Sequence, residues 1–247
     1  MFRFQRTLFS SDGIQPLLER NGFGTLDAIF AQGLAVERYR GDRVVFPVTL
    51  TDTDETTIQA FIKLNWGLRR LVPRTKDIRG GQMFQSLPAR EWNGLERLRS
   101  LGLNVPRPLA LFEDGAFQFR AAVVVSAVPV EMALSERLLR NEWQQLPHDR
   151  QIEQLHMIVS TIERIHARGL RWRGASTRHL FIDETPEGRP ELWLIDCEGI
   201  QRGGSRHDIR RDFQKLLRSF RETGADDRTL EWLRQVCDLK RRPRFAA

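Results

Sequence analysis

Apolar residues in this chain change their spacing near residue 130. Before that point they alternate or run in short stretches; after it they recur mostly with the period of a helix. Val44-Val45-Phe46-Pro47-Val48-Thr49-Leu50 and Thr57-Ile58-Gln59-Ala60-Phe61-Ile62-Lys63-Leu64 are rich in β-branched and aromatic residues. The polar Asp52-Thr53-Asp54-Glu55 between them predicts a hairpin turn. Short helices are expected over residues 13–32, broken at Asn21-Gly22 and Gly24. Residues 65–87 read as a basic loop. A helix begins near Pro88, a residue tolerated in a first turn, and ends by Gly102. Two strands follow, Leu109–Phe112 and Ala121–Val125, joined by a turn at Glu113-Asp114-Gly115.

From residue 133 the pattern is helical. Ile152, Leu155, Ile158, Val159, Ile162 and Ile165 keep a 3.6-residue period over about 150–168, and Gly169 stops it. A second hairpin is expected from His179–Asp183 and Leu192–Asp196 around Pro186-Glu187-Gly188. Residues beyond 206 are helical and basic. This order predicts an α+β fold of two lobes, a β-rich unit over 1–130 and a mostly helical unit over 131–247.

Composition narrows the setting. Two cysteines, Cys197 and Cys237, give no disulfide framework, and no stretch approaches the length of a membrane span. A cytoplasmic protein is expected. The formal charge of +7 points to an anionic partner. The excess gathers at Arg69, Arg70, Arg74, Lys76 and Arg79, at Arg202, Arg206, Arg210, Arg211, Lys215 and Arg218, and at Lys240, Arg241, Arg242 and Arg244. Aromatic residues do not interleave with these clusters, so nucleic acid is not the expected partner.

Several polar residues stand where chemistry could use them. Lys63 ends an apolar strand run, as phosphate-binding lysines do and as ordinary solvated strand ends also do. Glu91 shares a helix face with Leu95 and Leu98, where an unpaired charge is costly. It either meets a cation or is an exposed first-turn acid favoured by the helix dipole. In the second hairpin, pairing of Ile182 with Leu192 sets His179 beside Ile195 and next to Asp196. That pair could hold a metal or simply make a structural contact. His166 lies in the apolar stripe of the long helix, as a core histidine satisfied by the following loop. Asp212 lies at the edge of the Ile209, Phe213, Leu216, Phe220 stripe, placed to brace the loop over 172–178.

The ordered stretches Phe61-Ile62-Lys63, Ala89-Arg90-Glu91-Trp92-Asn93-Gly94-Leu95, Leu101–Pro108, Ile165–Leu170, Arg178-His179-Leu180-Phe181-Ile182, Leu194-Ile195-Asp196-Cys197-Glu198 and Arg211–Arg218 resemble the lipopolysaccharide kinase (Kdo/WaaP-like) family, with its InaA-like relatives. The resemblance covers about residues 40–220. It implies a kinase fold, ATP with magnesium, and phosphorylation of a lipopolysaccharide core sugar or another anionic glycolipid, with contact at the inner membrane surface. Carried over, Lys63 contacts phosphates and Glu91 holds it, with residues 65–87 as an insertion between them. His179 and Asp196 hold metal, and Gly41, in Arg40-Gly41-Asp42-Arg43, is the one glycine of a thin phosphate loop; Arg173 and Arg178 of this chain could bind phosphate. One position departs. Trp172-Arg173-Gly174 stands where active kinases carry H-R-D, so Gly174 replaces the aspartate base. Glu198 is the nearest substitute. The alternative reading is a pseudokinase that keeps the nucleotide cleft, in which an aspartate restored at 174 would restore turnover.

Overall fold

In the computed structural model, the residues described are 5–35, 41–68, 85–115, 118–185, 187–203 and 205–239. The chain forms two units. One is Met1–Arg97 with Pro106–Ala127; the other is Leu98–Val105 with Val128–Ala247.

The first unit contains β1 (Gln5–Phe9), α1 (Ile14–Arg20), α2 (Leu26–Gly33), β2 (Arg43–Thr51), β3 (Thr57–Leu68), most of α3 (Leu87–Ser100), β4 (Pro108–Gly115) and β5 (Gln118–Ser126). The five strands pair antiparallel in the order β1-β4-β5-β3-β2. Alternation along them sets two faces. Val44, Phe46, Leu50, Ala60, Ile62, Leu64, Leu109, Phe112 and Val124 face a core closed by Ile14, Leu17, Leu18, Ile29 and Phe30 from α1 and α2. Lys63 falls on the opposite face, as does Val123, its partner across the β3–β5 ladder. Pro47 is tolerated because β2 is an edge strand.

The expected hairpin of β2 and β3 forms with Val45 opposite Lys63. Two local expectations are corrected. Residues 65–68 continue β3 rather than opening a loop, because Trp66 N and Asn65 Nδ2 both donate to Asp42 O, at 3.1 and 2.9 Å. Glu113 and Asp114 are not a turn but the buried end of β4. Glu113 accepts from the Ser86 hydroxyl at 2.6 Å, and Asp114 pairs with Arg120 at 3.1 Å. Charges satisfied internally can remain in a strand. Strand β1 was not legible at all: a five-residue segment beside an uninformative terminus gains its identity only from pairing with β4. The basic residues from Arg69 to Arg79, and Lys240 to Arg244, lie outside the described residues, as does Arg40.

Helix α3 is bounded by its own side chains. The Ser86 hydroxyl accepts from Ala89 N at 3.1 Å, an N-cap. Its last turn closes by Gly102 N to Arg99 O and Leu103 N to Leu98 O, at 2.8 and 3.1 Å. That pattern needs a left-handed residue at position 102, and Gly102 supplies it at φ 67°.

The second unit contains α4 (Leu134–Leu139), α5 (His148–Ala167), β6 (Leu170–Trp172), β7 (Leu180–Glu184), β8 (Pro190–Leu194), β9 (Ile200–Arg202), α6 (Arg206–Glu222) and α7 (Asp227–Leu239). Leu155, Ile158, Ile162 and Ile165 are fully buried or nearly so, which is the stripe read from the sequence. Segment 98–105 joins this unit through Arg164 Nη2 to Leu101 O at 2.6 Å and Leu194 N to Asn104 O at 3.0 Å. The β6–β9 ribbon, three residues a side, was too short to read.

Ser205 caps α6 by accepting from Asp208 N, and Asp208 pairs with Arg171 of β6. Burial pushes the Asp208 carboxyl up, but the Ser205 hydroxyl and Arg171 outweigh it and hold the group below its ordinary value. Because the folded value is the lower one, the pair's contribution is present above the unfolded carboxylate range and is lost as pH falls through the folded value. Asp208→Asn should therefore cost about 1–2 kcal/mol near neutral pH and almost nothing under strongly acidic conditions. Denaturant unfolding at the two pH values checks this.

Candidate functional site

Each unit carries one arrangement of charged residues that packing alone does not require. In the first, Lys63 Nζ donates to Glu91 Oε1 at 2.9 Å. The Glu91 side chain is 3% exposed and that of Lys63 26%. Of the two readings of Glu91, the buried acid with a cationic partner is the one realised. Strand β3 presents Lys63 on the face away from the α1–α2 core, and Phe61, two residues earlier, shares that face with Val45 and Pro47 of β2. All three are exposed, Phe61 at 39% and Val45 at 54%. An apolar strip beside a held ammonium suits a ligand with a flat apolar end and an anionic end. The sequence reading missed this strip because exposure, not residue type, marks it. Gly41 lies just before β2 with φ 61°, and nothing lies within 4 Å of where a Cβ would stand.

In the second unit, β7 and β8 pair with Ile182 opposite Leu192, the register inferred from the sequence. His179 and Asp196 accordingly meet at the open end, Nε2 to Oδ2 at 3.2 Å. His179 Nδ1 lies 2.7 Å from Gly174 O. A carbonyl only accepts, so Nδ1 carries a proton, and Nε2 is the ring atom that faces the carboxylate. Two electron-pair donors at that distance repel unless a cation or a proton lies with them. Asp196 itself is held at φ 55°, ψ 58°, the left-handed region that a non-glycine residue occupies at a cost. Among the described residues no three His, Cys, Asp or Glu side chains gather as a metal cage. One aspartate and one histidine form the open kind of site. Magnesium uses such sites, filling its other positions with water and phosphate oxygens. The residues present fit it.

The loop between β6 and His179 is braced from α6. Asp212 Oδ2 accepts from Trp172 N at 2.9 Å and lies 2.9 Å from His166 Nε2. Asp212 thus has the structural role expected of it. His166 is a buried histidine as expected, but its partner is Asp212, 46 residues away, and not the adjacent loop. Gly174 is enclosed. A Cβ there would stand 2.7 Å from Trp172 Nε1 and 3.3 Å from Asp196 O. Across from it, a Cβ on Gly199 would meet Gly174 N at 3.0 Å. The two glycines let the loop and the segment after Asp196 lie backbone to backbone. Arg178 is exposed, and Glu198 is half-buried two residues beyond Asp196.

The sequence matches the family model described as the lipopolysaccharide kinase (Kdo/WaaP) family over residues 75–236. No curated protein matches it significantly. Among solved structures, the chain is similar to one titled "WaaP in complex with acyl carrier protein". The identity is 17%, the match covers 96% of this chain and 100% of that one, and the TM-score is 0.54. At that identity the likeness is one of fold, a mixed α/β, kinase-like architecture.

Proposed function

The chain belongs to the lipopolysaccharide kinase (Kdo/WaaP) family, and we propose that it transfers the terminal phosphate of ATP, with magnesium, to a hydroxyl of a lipopolysaccharide core sugar. The observation that carries this reading is the His179–Asp196 pair, with Nε2 turned toward the carboxylate by the contact of Nδ1 with Gly174 O and an aspartate in a left-handed backbone. Magnesium, when bound, neutralises phosphate charge. His179 and Asp196 would hold it. Lys63, fixed by Glu91, would contact nucleotide phosphates, with Val45, Pro47 and Phe61 against the base. Arg178 and Gly41 are phosphate contacts of the same reading.

In the transfer, the acceptor hydroxyl oxygen bonds to the terminal phosphorus. The bond from that phosphorus to the bridging oxygen breaks, and ADP leaves with the electron pair. The hydroxyl proton passes to Glu198 or to water, because position 174 has no side chain to take it. Catalysis then rests on positioning and charge, which carry most of the barrier reduction in phosphoryl transfer.

The protein works at the cytoplasmic face of the inner membrane in this reading, its basic clusters against anionic glycolipid. No helix of the described residues is long and apolar enough to cross a membrane, so the contact would be peripheral. The test is magnesium-dependent transfer from ATP to core oligosaccharide. Asp196→Ala should lower kcat at least ~100-fold, since it removes a charge made use of in the transition state. Transfer by Asp196→Ala at the wild-type rate would remove the metal assignment.

A second reading has its own observation. The space an aspartate side chain would need at position 174 is taken by the Trp172 indole. A pseudokinase would bind ATP with magnesium and show a raised Tm without transfer. Wild-type turnover at ordinary kinase rates, roughly 1–100 per second, excludes it.

A further inference from the structure

The loop from Arg173 to His179 brings no carboxylate and no lysine of its own to the His179–Asp196 pair. Its cations are Arg173 and Arg178, and a lysine reaches it from elsewhere. Lys215, on α6, donates from Nζ to Arg173 O, the carbonyl immediately before Gly174. Asp196 and Asp212 both attract its charge, and Arg173 repels it. We propose that Lys215 holds the phosphate being transferred beside Asp196, adding from α6 an anchored charge to those that Arg173 and Arg178 bring to the loop around Gly174. This rests on the ATP reading above and names a residue and a ligand group within it: the terminal phosphate of a nucleoside triphosphate.

Three features make Lys215 suited to that task. Its anchor is a neutral carbonyl, so its full charge stays available. A carboxylate partner would have cancelled it, and no carboxylate of the described residues lies in ion-pair contact with it. The nearest acid on its own helix, Asp212, is three residues away and already engaged by Trp172 N and His166. Second, an ammonium has three donors, and Arg173 O uses one. The remaining two can meet phosphate oxygens, for which lysine acts as a point charge. Third, the anchor fixes where the charge stands. A lysine free on a helix surface would lose side-chain entropy on binding an anion; this one is already tethered.

The competing role is a strut: Lys215 would only tie the loop at Arg173 to α6. The two roles differ in what they do to ATP against ADP, which lacks the terminal phosphate. Lys215→Gln keeps a donor for Arg173 O and removes the charge; Lys215→Arg keeps the charge. Binding of ATP and of ADP, each with magnesium, is measured by calorimetry for the full chain and both variants, alongside Tm. The expected result is that Lys215→Gln weakens ATP about 10- to 100-fold, leaves ADP within about twofold, and leaves Tm unchanged, while Lys215→Arg restores most of the ATP affinity. Equal weakening of both nucleotides, or a lowered Tm with ATP preference intact, overturns the proposal and makes Lys215 a strut. Wild-type ATP affinity in Lys215→Gln overturns it too, while leaving the ATP reading standing. A wild-type chain that binds neither nucleotide overturns both.

Discussion

Lys63→Ala should destabilise the first unit by about 3 kcal/mol, whereas Lys63→Met combined with Glu91→Leu should leave stability within about 1 kcal/mol of wild type. The asymmetry follows from burial. Glu91 is 3% exposed, so loss of the Lys63 ammonium takes a compensating charge from a carboxylate that is buried. Lys63 is 26% exposed, which puts the cost toward the lower end of what a buried pair shows. Removing both charges removes the liability. The double variant therefore separates folding from function. It should unfold at nearly the wild-type denaturant midpoint, and ATP with magnesium should no longer raise its Tm. A double variant still stabilised by ATP as wild type is would show that Lys63 does not touch phosphate. A single variant as stable as wild type would show that the pair is exposed in solution.

Gly174→Asp should not restore a catalytic base; it should cost about 1–3 kcal/mol, the usual penalty for forcing atoms into a filled site. The reversion that looks natural in the sequence fails in the structure, because even the first carbon of a side chain would stand 2.7 Å from the Trp172 ring nitrogen. Trp172 is fully buried, so moving its indole disturbs the packing around it. Its neighbour two positions on is thus dictated by its size. Trp172→His with Gly174→Asp relieves the conflict. The double variant should be less destabilised than the sum of its singles by about 1–3 kcal/mol, as expected of residues in contact. It should also raise phosphate transfer about 100-fold or more over Gly174→Asp, the smaller end of what a general base contributes. Equal transfer rates in the two variants would mean that no base is wanted at that position.

These two sites show what the sequence could and could not carry. Hairpin registers were legible because a period of two leaves one way to bury Ile182 and Leu192, and the His179–Asp196 meeting follows from that register. Glu91 was half legible: helix periodicity placed it among apolar neighbours, but its contact with Lys63 is a tertiary fact. The Trp172–Gly174 conflict was invisible, since each residue reads as an ordinary loop member until the indole's direction is known. Lys215 was hidden for a different reason. Among the many arginines of α6 it reads as one more solvated charge, and only its reach to Arg173 O distinguishes it. Glu113 and Asp114 misled because acids next to glycine usually turn a chain, and here partners from β1, β5 and the start of α3 hold them in a strand.

The left-handed backbone of Asp196 gives the site a definite energetic sign. Glycine would occupy φ 55° without the crowding of a Cβ, and the left-handed region costs other residues about 1 kcal/mol or more. Apart from any ligand, then, the aspartate at this turn carries a backbone cost that glycine would not. A cation that binds the carboxylate offsets that deficit, so occupancy and stability rise together. On the proposed reading, the segment from Asp196 to Gly199 would be completed as a piece of folded chain by the ion it holds.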